Sequence, residues 1–113
     1  MLLFNSAIAQ EIKTVFEKSN GQESATYFET IDFYTQLSKI SKKIKINTTS
    51  DLTDAGYPLH YISISADGKF DPKQWHKDKT ITILINNGIH AGEPDGIDAS
   101  LLLARDIAIN KIN

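Results

Sequence analysis

His90 and Glu93 stand three residues apart in the stretch TITILINNGIHAGEPDG, residues 80–96. An imidazole beside a carboxylate is a donor pair that suits zinc. Zinc takes imidazole nitrogen at about 2.0–2.1 Å and carboxylate oxygen at about 2.0–2.2 Å, and a catalytic ion has three protein ligands with a fourth position left for water. His90 and Glu93 would supply two of the three. The same spacing also has an ordinary explanation, in which His90 bonds a carbonyl of the turn and Glu93 accepts from the first amides of a helix. Spacing alone does not choose between them. The order of features around the pair (strand, glycine-flanked turn, His-x-x-Glu, proline, helix) favours the metal.

The elements that must hold this pair are readable on either side of it. Upstream, TITILIN is apolar on both faces through Ile81, Ile83, Leu84 and Ile85, which predicts a central strand buried from both sides of an α/β sheet. In open α/β sheets the ligand site lies past the carboxyl ends of the strands, which is where this strand would deliver His90 and Glu93. Gly88 and Gly92 allow the sharp turn. Pro94 and Asp95 suit the first turn of a helix, the first having no amide to leave unpaired and the second meeting the positive end of the dipole. Apolar spacing through Ile97, Leu101, Leu102, Ala104, Ala108 and Ile109 carries that helix to about Asn110.

Further upstream, Thr26 followed by Glu29 reads as a capping box, and Phe33, Tyr34, Leu37, Ile40 and Ile44 recur at helical spacing, so a helix is expected over residues 27–41. KIKINTTS and PLHYISIS, joined by a polar glycine-containing connection, predict an antiparallel hairpin. Residues 66–79 carry the turn signals Asp67-Gly68 and Asp71-Pro72 without sustained periodicity and read as a surface loop holding Trp75 and His76. Residues 11–24 form a polar, weakly helical lead-in. A doubly covered strand needs more neighbours than this hairpin and these helices provide, so residues 10–113 are expected to be the front part of a longer domain.

Composition bounds the function. Of 113 residues, 14 are acidic and 12 basic, a formal net charge of -2 that offers no broad footprint for nucleic acid phosphates. The nearest cluster, Lys39, Lys42, Lys43 and Lys45, reads as the wet end of a helix and strand. No cysteine is present, which excludes disulfides, thiolate metal sites and cysteine nucleophiles. No run approaches the ~20 apolar residues of a membrane span. Residues 1–9 join a short apolar run to Ala7-Ile8-Ala9, the small-x-small pattern that precedes signal cleavage, and read as the remnant of an export signal. A periplasmic or secreted location is therefore expected, with a mature chain starting near Gln10.

NNGIHAGEPDGIDASLLLARDIA resembles the first zinc-binding motif of the carboxypeptidase A type of zinc metallopeptidases, in the form common among bacterial members. The helix ATYFETIDFYTQLSK and the hairpin DAGYPLHYISIS are similar to the opening segment of that family, and the likeness covers residues 26–108. The resemblance implies a three-layer αβα domain with a mixed central sheet, of which this chain would be the N-terminal part. It implies one zinc ion with His90 and Glu93 as its first two ligands, a peptide as substrate, and hydrolysis by a metal that polarises the carbonyl and activates water. The family's second histidine, its proton-shuttling glutamate, and the arginines and tyrosine that hold the substrate carboxylate have no counterparts in this chain, so the portion is expected to be inactive alone. Gly92 stands where many animal members carry arginine, which removes one substrate contact.

Two rivals share parts of this reading. Amidohydrolases that deacylate N-acyl amino acids, of the succinylglutamate desuccinylase and aspartoacylase kind, also present a strand followed by His-x-x-Glu, but with glycine after the histidine where this chain has Ala91. A non-catalytic module would keep the fold without a working metal. Other candidates read as structural: His60 on a strand, His76 on a loop, and Arg105 as a solvated side chain of the second helix. Asn47-Thr48-Thr49 matches a glycosylation acceptor, while Asp67, Asp71 and Asp78 lack the spacing and the bidentate glutamate of a calcium loop.

Overall fold

The computed structural model describes residues 12–112; the expected export remnant lies outside them. The first helix, α1 (Val15–Lys18), starts on a capping box that meets two amides locally. Thr14 accepts from the amide of Glu17, and the Glu17 carboxylate accepts from the amide of Thr14 at 2.8 Å. The lead-in thus contains one well-capped turn. α2 (Tyr27–Ile40) starts on the same device, Thr26 with Glu29, as its sequence predicts. It buries Phe33, Tyr34 and Leu37, three positions on one helical face, and Ser41 leaves it in extended backbone.

β1 (Ile44–Leu52) and β2 (Pro58–Ile64) pair antiparallel, with Ile44 opposite Ile64, Ile46 opposite Ile62 and Thr48 opposite His60. Because side chains alternate along a strand, these three pairs share one face. Ile44 is buried, and Ile46 and Ile62 pack partly buried against the core. The register slips between Thr48 and Leu52, just before the hairpin turn.

Residues 66–79 are not wholly loop: α3 (Pro72–Lys77) occupies their second half. Asp71 accepts from the amide of Lys73, and Pro72 fills the first helical position, where a missing amide proton costs nothing. The turn signals marked a helix start as well as a bend, and six residues are too few for a readable period. α4 (Asp95–Ala108) follows as expected and buries Leu101, Ala104 and Ala108. α2 packs on α4 and on β1, and the core lies where the three meet, around Leu37 and Leu101, both out of reach of solvent. Each buried leucine contributes about 1.5–3 kcal/mol through its removal from water.

The described residues therefore make a small α/β protein of four helices and a two-stranded antiparallel sheet. The central strand expected over residues 80–86 is not formed. Residues 80–89 take no regular structure, and Ile81 is 86% and Leu84 89% exposed. The reason is physical: a strand apolar on both faces is stabilised by neighbours along both edges and layers over both faces, and among the described residues β1 and β2 pair only with each other. Among the described residues no helix is long and apolar enough to cross a membrane.

Candidate functional site

Gly88 and Gly92 take φ values of +66° and +84°, in the left-handed region that residues with a Cβ enter only with strain, so the chain between residues 87 and 95 turns as the two glycines permit. At the end of the turn Pro94 precedes α4. Its carbonyl accepts from the amides of Ile97 and Asp98 at 2.9 and 3.1 Å, and no side chain caps the helix. Glu93 is therefore not occupied as a helix cap. Its carboxylate Oε2 lies 3.1 Å from His90 Nδ1, so the turn brings the two predicted ligands together.

The fit of this pair to zinc can be tested on that distance. Two donors bound at about 2.1 Å with a tetrahedral angle between them stand roughly 3.4 Å apart, and a separation of 3.1 Å corresponds to an angle of about 95°. Both side chains are mostly exposed, at 71% and 63%, and a surface pair of this kind adds on the order of a few tenths of a kcal/mol to folding. The fold does not depend on the pair, which leaves both groups open to a ligand. Asp95 and Asp98 follow in the first turn of α4, where they meet the helix dipole, and Asp98 is buried with one oxygen 3.5 Å from the amide of Ala25. Among the described residues no three His, Cys, Asp or Glu side chains converge, so a third ligand does not stand beside the pair.

The remaining histidines lie elsewhere. His60 Nδ1 shares a hydrogen bond with Thr48 Oγ1 across the hairpin at 2.9 Å, and its ring lies 6.0 Å from that of Tyr27. His76 sits in the last turn of α3. A hollow of about 430 Å³ separates β2 from α2 and α4, edged by Ile83, Leu84 and Ile85. It reaches Asn87, but neither His90 nor Glu93 lines it.

Arg105 departs from the sequence expectation. It is not solvated: its side chain is 12% exposed, and Nη1 donates to both oxygens of Glu17 at 2.7 and 2.6 Å. It clamps a carboxylate of its own chain and so fastens α1 to α4. Those bonds raise the pKa of the guanidinium against the opposing effect of burial. Burial pushes the Glu17 carboxyl upward, but the bonds from Arg105 and Thr14 outweigh it and hold the group below its ordinary value.

Sequence reasoning also passed over Asn87, whose side chain bonds α4 at Gly96 and Ser100. The signal for it was Gly96, a glycine inside a helix, which marks a close approach by some other part of the chain. No protein-family model, no curated protein and no solved structure matches the chain.

Proposed function

We propose that the chain carries two ligands of a catalytic zinc, His90 and Glu93, in an enzyme that hydrolyses peptide bonds in the manner of a metallocarboxypeptidase. The observation that carries this reading is the 3.1 Å approach of His90 Nδ1 to Glu93 Oε2 in a glycine-hinged turn at the entrance to α4. Bound there, zinc would supply the Lewis acidity that peptide hydrolysis needs. The chain's own contribution is to hold an imidazole and a carboxylate side by side, exposed and unclaimed by the helix end. The three-layer domain with a mixed central sheet belongs to the same proposal: residues 80–86 would become its central strand, and a third ligand would complete the metal. Export belongs to it too, and N-terminal sequencing of the protein recovered from cells, with a start near Gln10, is its test.

Zinc titration against a chromophoric chelator tests the ligand pair directly. In a form of the protein that holds the complete ligand set, one ion per chain, lost in both His90→Ala and Glu93→Ala, is the expected result. Zinc retained by either single variant would refute the assignment. Cleavage of peptides at a free carboxyl end, by a form of the protein that holds the complete ligand set, separates the peptidase from the N-acyl amino acid deacylase and from a non-catalytic module.

A further inference from the structure

We propose that Asn87 is the positioning residue of the His90–Glu93 pair, closing residues 87–96 into a loop that keeps the imidazole and the carboxylate at ligand spacing. What the pair is held for rests on the metal-site reading above; the holding itself rests on geometry. Asn87 Nδ2 donates to the carbonyl of Gly96 at 2.8 Å and to Ser100 Oγ, one turn further along α4. One side chain thus ties the start of the loop to the helix that ends it, with His90 and Glu93 between the two anchor points.

The packing makes this closure specific. A Cβ placed on Gly96 would stand 2.6 Å from Asn87 Oδ1, and one placed on Gly88 would stand 2.6 Å from Ile97 Cδ1. Both ends of the loop are therefore seated on α4 at contact distance. Gly96 lies where alanine would serve the helix better, and it leaves the room that Asn87 occupies. Between the anchors Pro94 is half-buried and the other residues are exposed. Without the Asn87 bonds, the ordering of His90 and Glu93 would have to be supplied when the metal binds, and affinity would fall accordingly.

The test uses ¹⁵N relaxation of the metal-free 113-residue chain and, in a form of the protein that holds the complete ligand set, zinc ion as the probe in a chelator competition. Asn87→Ala is expected to weaken zinc about tenfold, within the range seen for groups that orient metal ligands. It should also lower the backbone order parameters of residues 88–93 while those of α2 stay unchanged. Gly96→Ala keeps the asparagine but displaces it, so it should weaken zinc to a similar degree and lower the order parameters of residues 88–93 while those of α2 stay unchanged. A purely structural role does not give that combination. Parental zinc affinity in both variants, or unchanged order parameters in Asn87→Ala, would overturn the inference. A parent form with the complete ligand set that takes up no zinc removable by His90→Ala would instead overturn the metal-site reading, and the relaxation comparison would still decide whether Asn87 holds the pair.

Discussion

Removing the guanidinium of Arg105 should destabilise the protein by about 2 kcal/mol. The figure follows from where the pair with Glu17 sits between two limits. A fully exposed ion pair contributes about 0–1 kcal/mol, whereas breaking a fully buried one costs about 3–5 kcal/mol because a charge is left without a partner. With Arg105 12% and Glu17 30% exposed, the pair lies nearer the buried limit, but water can still reach the stranded carboxylate. Two short charge-assisted bonds from Nη1, and a longer one at 3.3 Å to the carbonyl of Ile12, are lost together. For a domain of about this size, 2 kcal/mol corresponds to roughly 10 °C in melting temperature.

Urea unfolding of Arg105→Ala, Glu17→Gln and the double variant measures both the loss and the coupling between the partners, expected at about 1–2 kcal/mol. The acid limb gives a second check with a definite sign. The folded Glu17 carboxyl is held below its ordinary value of 4.5, so the unfolded chain binds the proton more readily. The clamp's contribution is complete above that value and disappears as pH falls through the folded pKa. Parent and Arg105→Ala should therefore converge in stability in acid. A loss at neutral pH below about 0.5 kcal/mol, the size of an ordinary surface substitution, would refute the reasoning, as would a difference that persists unchanged at the acid end.

Three further outcomes follow from the same structure. Burial raises the Tyr34 hydroxyl from 10.0 to about 12, so its contribution is complete below pH 10 and is lost as pH rises toward the folded value, by about 2–3 kcal/mol over two units; alkaline unfolding of Tyr34→Phe should lack this phase. Gly92→Ala should cost about 1–2 kcal/mol from left-handed backbone alone, since its added Cβ meets open space, whereas Gly88→Ala should cost more because its Cβ also collides with Ile97; equal losses in thermal melts would contradict that ranking. Ile81, Ile83, Leu84, Ile85 and Ile89 are all exposed within nine residues, so sedimentation should detect self-association at high concentration that Ile83→Lys reduces, and identical sedimentation of the two proteins would count against it.

What the sequence revealed and what it hid divide along the range of the interactions involved. An α-helix closes its hydrogen bonds within itself, so α2 and α4 could be read from a cap and an apolar spacing. α2 ends one residue short of the expected Ser41, and α4 stops at Ala108. His90 and Glu93 were legible for the same reason, because three residues and two glycines suffice to bring them together. Arg105 was misread because its partner lies 88 positions away, and the capping box of α1 gave no hint that Glu17 would serve a second donor. Asn87 and Ser100, 13 positions apart, were also hidden by their separation in sequence, though Gly96 between them carried a trace.

Residues 80–89 show the limit most sharply. Ile81, Ile83, Leu84 and Ile85, apolar on both faces, state a demand for burial, but a strand, unlike a helix, is made by its neighbours, and a pattern cannot supply them. Among the described residues that demand goes largely unmet: Ile83, Leu84 and Ile85 edge the hollow between β2 and the helices but stay exposed, and the backbone takes no regular structure. At the end of this stretch the chain is tied to α4 by the side chain of Asn87 and turns at two glycines of positive φ. The geometry of the candidate ligands is therefore anchored from the helix side. It does not wait for the preceding strand to form, so His90 and Glu93 should keep their spacing whether or not residues 80–86 find a sheet to join.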